Sequence, residues 1–461
     1  MDGTSAAPSR ATLVTALDRF GQLARECAVV GAQLAVHAHG SLHTREFGRE
    51  VDGGTEVHSG SAFAYGSTSK TFTAVCALQL VSDGLLTLDD PIRRWVGGTD
   101  PALDATVRQL LSHTAGLPSD HESHDAGGDP PARRLQALLA AVPPPARTAW
   151  PARGTFSYSN VGYHLLSQLV ADATGLSWPE TLDTYLLSPL DTRAGFLPGP
   201  HPRTAPALTV HGHHIQPPAA GHETRTVSAI ACTTDSDSLA AGGLAGTATD
   251  LVALARLALG NGPDLCDPQV LQEMTTPVDG AEPFGLADGW GLGLGRFGTP
   301  GTAWWGHDGT HDGTTCHLRL DSTSGTVVAL TTNSTTGRQL WDAVLRELAD
   351  AGLPVGVHRP QLPPEAPVED FTPCLGEYRN GELAITARLD SATLTLTLPG
   401  GAAYPVTPRA DLTFSALPPG HSAPFVGRFL RSPHNPTALQ YNGRALTRTA
   451  PPRERAGAGR D

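Results

Sequence analysis

Lysine is all but missing. Of the 32 Lys and Arg residues in this 461-residue chain, 31 are arginine and one, Lys70, is lysine. Methionine is down to 2, while Gly (51) and Pro (39) are abundant. This reads as a high-GC coding bias, which can replace every lysine needed only for its charge, because arginine does that as well or better. Excess positive charge is missing too. A net charge of −13 argues against a nucleic-acid or anionic-membrane partner, since either needs a basic face. No run reaches the roughly 18–20 apolar residues of a spanning helix. The six cysteines form no CxxC pair, which fits scattered reduced thiols better than a disulfide framework or a zinc site. The first twenty residues lack the cationic stretch, apolar run and cleavage site of a signal peptide, so a cytoplasmic protein is expected. The remaining totals, 39% hydrophobic and 17% charged, are those of an ordinary globular chain long enough for two or three domains.

Residues 1–10 read as disordered. VVGAQLAVHAHGSLHTREFG alternates around His39-Gly40 as a hairpin would. TSKTFTAVCALQLVSDG is apolar nearly all round and suits a buried helix ending at Gly84. Amphipathic helices are expected around 104–112, 132–141, 160–173 and 246–259, strands at 289–296, 315–321 and 326–332, and a helix at 337–351. Strands at both ends with helices between imply one sheet built from both termini, an α/β layered domain over 11–353 with a helical subdomain. The prolines of 354–368 read as an extended linker. From 369 to 450, short alternating strands read as a small antiparallel barrel or sandwich, and 451–461 as a disordered tail. Between Leu412 and Arg453 no acidic residue occurs, whereas Arg428, Arg431, Arg444 and Arg448 do.

Lys70 stands three residues after Ser67, where the buried helix begins. That spacing puts both side chains on one face, close enough for the amine to take the hydroxyl proton. Burial can depress a lysine pKa enough to make it a base, whereas arginine cannot deprotonate. A second candidate is Tyr158-Ser159-Asn160, ahead of a helix. A phenol near an ammonium can pass on a proton, and Asn160 can hold a substrate amide. Read alone, Asn160 is better explained as a helix cap and Tyr158 as a packing residue. The third is Gly306-His307-Asp308-Gly309, repeated in part as His311-Asp312-Gly313. A histidine on an edge strand, with glycines that allow close approach, could line a cleft and supply an oxyanion N–H.

The three elements, in this order and at these spacings, resemble the penicillin-recognising serine hydrolases. That family includes class C β-lactamases, DD-carboxypeptidases, D-aminopeptidases, and related esterases and acyltransferases. Its SxxK, YxN and KTG-or-HxG elements correspond to Ser67/Lys70, Tyr158/Asn160 and His307/Gly309. The likeness runs on through GLLTLDDPI, LLSHTAGLP, AGGLAGTATDLVALARLAL and GWGLGLG. It selects His307, with Gly313 following, over His311, and it implies an oxyanion hole from the N–H groups of Ser67 and Thr310. His113 lies in a family-like stretch and is read as structural. Histidine in the third element belongs to the esterase, D-peptidase and acyltransferase branches rather than the lactamases.

The resemblance implies acyl transfer through an acyl-Ser67 intermediate and no cofactor. With the small C-terminal β-domain, the chain looks most like free-standing penicillin-binding-protein-type thioesterases. These release nonribosomal peptides from a peptidyl carrier protein by head-to-tail macrolactamisation, and their second domain resembles a lipocalin. A peptidyl thioester would be the substrate and a carrier protein the partner. Arg444 and Arg448, on or beside predicted strands, are the arginines expected to reach such a chain. The alternatives are a cytoplasmic D-stereospecific peptidase, amidase or esterase of the same family, and, from another class, a catalytically inactive peptide-binding protein. The histidine-rich loop at 201–222, with His201, His211, His213, His214 and His222, lacks a Cys or carboxylate spaced to complete a metal site and is expected to be an exposed loop.

Overall fold

The computed structural model describes residues 10–96, 100–120, 150–197, 210–216, 225–234, 239–298, 304–390, 392–398, 401, 403–417, 424–432 and 435–450. They form two compact units. The first gathers Met1–Asp90, Tyr163–Pro277 and Trp290–Val357; the second gathers Pro91–Gly162, Val278–Gly289 and His358–Asp461. The helix expected at 132–141 and the tail at 451–461 lie outside the described residues.

In the first unit, the expected hairpin forms from β1 (Gly31–Ala38) and β2 (Ser41–Gly48). Its two-residue turn needs positive φ at both positions, and His39 (φ 51) and Gly40 (φ 72) supply it. The later strands are β3 (Gly289–Trp290), β4 (Gly295–Arg296), β5 (Trp304–His311), β6 (Thr314–Asp321) and β7 (Val327–Thr332). The sheet runs β2-β1-β7-β6-β5-β4-β3, so the first hairpin pairs with the last strand and both ends of the unit share one sheet. β5 is not among the strand runs expected from alternation, although His307 was placed on an edge strand, because its glycines, His and Asp weaken strand propensity. Pairing with β6 along its whole length imposes it.

Five helices dress this sheet: α1 (Arg10–Asp18), α2 (Phe20–Glu26), α3 (Ser69–Ser82), α5 (Ala248–Ala258) and α6 (Gly337–Asp350), with α4 (Asn160–Thr174) beginning at the edge of the second unit. α3 is buried from Ser69 to Leu80 and stops at Asp83 before Gly84. Side chains alternate across β5. Asp308 faces α6 together with His317 and Arg319 of β6, and His317 stacks on Trp341 of α6. Gly309 instead faces the turn that precedes α3. This is the helix–sheet–helix layering of a β-lactamase/transpeptidase-like α/β fold.

The second unit contains a nine-stranded antiparallel sheet from β8 (Gly376–Asn380), β9 (Leu383–Asp390), β10 (Thr393–Thr397), β11 (Ala403–Pro405), β12 (Thr407–Pro408), β13 (Thr413–Ala416), β14 (Phe425–Ser432), β15 (Asn435–Tyr441) and β16 (Arg444–Ala450). Its order is β11-β10-β9-β8-β16-β15-β14-β13-β12. The two end strands are separated only by Val406, so the sheet curls into a nearly closed barrel. Tyr378, Phe371, Phe414, Phe429, Leu439 and Leu446 pack its interior. Among the described residues, no helix is long and apolar enough to cross a membrane.

Candidate active site

A tight turn, Gly66–Thr68, delivers Ser67 to the start of α3. Gly66 sits at φ 52, and a Cβ there would come within 2.8 Å of the Thr310 nitrogen. Only glycine lets the turn and β5 approach this closely. At Gly309 a Cβ would meet the Thr68 nitrogen at 2.9 Å and the Tyr65 carbonyl closer still. The two glycines therefore bring the backbone of Thr310 alongside the serine turn.

Lys70 is completely buried. Its Nζ donates to the Ala241 carbonyl at 2.6 Å, lies 3.4 Å from Ser67 Oγ, and sits 5.5 Å from the centre of the Tyr163 ring. Two further bonds pin the start of α3 to the neighbouring chain: Thr73 Oγ1 donates to the Ala240 carbonyl at 2.7 Å, and Leu244 N donates to Ser69 Oγ at 3.1 Å. The lysine is thus held by fixed main chain, with the Ser67 hydroxyl in reach.

Among the described residues, β5 pairs with β4 only at Trp305 and Gly306, which leaves the stretch from His307 to His311 without a described strand on that side. His307 is buried, with its ring edge-to-face against Trp290 at 5.5 Å. Its Nδ1 donates to the Asp308 carbonyl at 2.7 Å. Burial, and then the Lys70 ammonium, push its pKa down to about 4, so the ring is neutral at physiological pH. On the opposite face, Asp308 accepts two bonds from Arg319 (2.8 and 3.0 Å) and one from His317 (2.8 Å). Burial alone would raise its carboxyl pKa, but Arg319 and His317 outweigh that and hold it well below the usual range. Nothing in the sequence marked this cluster, since only the fold pairs residues 308 and 319. His311 reaches away to the Thr233 carbonyl at 2.9 Å.

Within the second unit, Tyr158 N donates to the Gly443 carbonyl at 2.9 Å, and the Arg444 guanidinium lies 5.5 Å from the centre of the Tyr158 ring. That ring is also stacked on His113 at 4.3 Å. His113 itself takes φ 58, and its Nδ1 accepts from Ser159 N at 3.1 Å. The histidine read as structural is the platform of the tyrosine loop. Asn160 opens α4, takes the Ser119 carbonyl with its N–H, and donates from Nδ2 to Asp120. Asn380 of β8 was missed in the sequence. It bonds Ser119 N, Ser157 Oγ and the Ala445 carbonyl, tying the tyrosine loop to the barrel. Arg448 turns into the barrel, where Nη2 donates to the Leu375 carbonyl at 2.6 Å.

His201 and His222 lie outside the described residues. His213 is fully buried, accepting at Nε2 from Asp52 N and donating from Nδ1 to the Asn333 carbonyl. The exposed loop expected here is therefore corrected at this position, because the histidine serves as a core cross-brace. Among the described residues, no group of three or more His, Cys, Asp or Glu could hold a metal ion.

The family profile described as Beta-lactamase matches residues 16–353. The chain is 31% identical over 389 residues to "Penicillin-binding protein 4" of Amycolatopsis lactamdurans, covering 78% of this chain and 96% of that one. A crystal structure of SurE superimposes with a TM-score of 0.83 at 39% identity, covering 95% of this chain and 99% of that chain. A second, described as SurE with D-Leu, gives 0.80 at 38% identity over 95% of this chain and 100% of that one.

Proposed function

Because the chain belongs to the beta-lactamase family of serine hydrolases and acyltransferases, we propose that it is a trans-acting thioesterase and peptide cyclase. It takes a peptidyl group from a carrier-protein thioester onto Ser67 and releases it by head-to-tail macrolactamisation. Supporting the chemistry is the fully buried Lys70 beside Ser67, an arrangement in which the amine can remove the hydroxyl proton. Supporting the substrate is the likeness over nearly the whole chain to a structure that holds D-Leu, which fits an acyl group ending in a D-residue.

The steps balance as two acyl transfers. Ser67 Oγ forms a bond to the thioester carbonyl carbon as its proton passes to Lys70. The carbon–sulfur bond breaks, and the thiol leaves with a proton relayed through Tyr158. The peptide's own terminal amine then attacks the acyl-Ser67 carbonyl, the ester bond breaks, and the amine proton returns to Ser67. In this scheme the N–H groups of Ser67 and Thr310 stabilise the oxyanion, Asn160 holds a substrate amide, and Arg444 orients the chain.

The test is to offer the purified protein a linear peptidyl thioester mimic ending in a D-residue and to weigh the products. A product lighter by one water than the free acid supports cyclisation. Linear acid alone supports the hydrolase alternative on the same residues, and a stable acyl adduct that never turns over supports a peptide-binding protein.

A further inference from the structure

We infer that Asp308, Arg319 and His317 form a positioning brace for the acyl-transfer step, holding from behind the strand that carries Thr310 alongside the Ser67 turn. This role rests on Ser67 being the nucleophile. It adds residues that act through the strand without touching substrate.

The Gly306-His307-Asp308-Gly309 element divides by face. Side chains alternate along a strand, so His307 and Gly309 share the face toward the serine turn, while Gly306 and Asp308 share the face toward α6. On the serine side the approach is backbone against backbone. A Cβ at Gly309 would lie 2.9 Å from Thr68 N, and one at Gly66 would lie 2.8 Å from Thr310 N. Neither glycine has a side chain to set the separation between turn and strand. Among the described residues, β5 is paired along its β4 edge only at Trp305 and Gly306. Its height over the turn is therefore left to β6 and to the face toward α6.

On that face Asp308 lies directly across from His317, and Gly306 across from Arg319. A Cβ at Gly306 would come within 3.1 Å of Arg319 Cδ, so the bare glycine leaves the arginine room to slant along β5 to Asp308. The guanidinium takes both carboxylate oxygens, Nη1 to Oδ1 at 2.8 Å and Nη2 to Oδ2 at 3.0 Å, and His317 Nδ1 adds a bond to Oδ1 at 2.8 Å. Each donor is itself fixed. Arg319 Nη1 also donates to the Leu318 carbonyl at 2.8 Å, its guanidinium lies over the Phe297 ring at 3.4 Å, and His317 stacks on Trp341 at 5.0 Å. The Arg319 side chain is only 2% exposed. Such a pair is weak evidence for stability, because apolar residues of similar volume often serve as well or better. What it supplies that they lack is direction, a charge-assisted fork that fixes the carboxylate in plane and distance. Two residues further on stands Thr310, and a misplacement of about 1 Å in a reacting geometry can cost about 10²-fold in rate.

The test replaces the pair as a unit, Asp308→Leu with Arg319→Met, so that neither charge is left buried alone. With a peptidyl thioester mimic, the saturating rate of acyl-Ser67 formation is expected to fall about 10²-fold. The half-saturating concentration is expected to change by less than about twofold. A boronic acid that captures Ser67 as a tetrahedral adduct should bind more weakly by the same factor as the rate. Arg319→Lys keeps a point charge without the fork and is expected to lose about tenfold; it serves where the double variant does not fold. A wild-type acylation rate in either variant, or a rise in half-saturation matching the fall in rate, overturns the brace. Amide hydrogen exchange judges it without reference to Ser67. Exchange at 307–311 is expected to rise about tenfold, with that at 327–332 unchanged. No rise at 307–311, or an equal rise at 327–332, overturns the brace. A wild-type protein that leaves Ser67 unacylated refutes the proposed function instead, and the exchange result still decides whether the strand is braced.

Discussion

The Ala241 carbonyl lies 2.6 Å from Lys70 Nζ, and Ser67 Oγ lies 3.4 Å away. The shorter bond belongs to the main chain. Lys70 is therefore anchored independently of the serine, and in the proposed mechanism the longer approach to Oγ tightens as Ser67 loses its proton.

Lys70→Arg should keep the charge and abolish the chemistry, because a guanidinium does not give up its proton in a protein. Loss of a general base typically costs about 10²–10⁴-fold. Acyl-Ser67 formation, followed by intact mass after mixing with a thioester mimic, checks this. An active arginine variant would overturn the mechanism.

The two arginines of β16 should separate. Arg444 lies by the Tyr158 ring, and Arg444→Ala is expected to lower kcat/KM with little change in Tm. Arg448 is engaged by the Leu375 carbonyl, and Arg448→Ala is expected to cost about 1 kcal/mol of stability while leaving kcat/KM near the wild-type value. Unchanged kinetics in both variants would remove the barrel from substrate recognition.

Stability should fall between about pH 6.5 and pH 4. In that window the unfolded chain binds a proton on His307 that the fold refuses until about pH 4. Stability therefore rises with pH through the window and is complete above it. A shift of this size corresponds to roughly 3 kcal/mol. The urea midpoint at pH 7 and pH 4.5 measures it, and His307→Gln should reduce the dependence, the remainder coming from His213 and His317, which burial also holds below the ordinary histidine value.

What the sequence showed was periodic or punctuated. His39-Gly40 announced a two-residue turn, the unbroken apolar texture of 69–82 announced a buried helix, and the lone lysine drew attention to Ser67. What it hid depends on partners distant in the chain. β5 reads poorly as a strand because its side chains are chosen for close approach and chemistry, and β6 supplies the missing propensity. Asp308 looked like the spacer of a His-x-Gly element and is a half-buried ion-pair partner. Nor does composition reveal that the YxN loop is tied to β8 and β16, since Asn380 carries no local signal.

The bond from Tyr158 N to the Gly443 carbonyl bears on modularity. A texture change after a proline-rich stretch invites the view of an enzyme with a detachable accessory. Yet the tyrosine loop takes its anchor, its aromatic cation and its asparagine tie from that supposed accessory. Cutting the chain at the linker would leave the proposed proton relay without its mooring. The barrel and the tyrosine proposed as proton relay are thus bound to a common fate, and a relative that lost the one would have to rebuild the other.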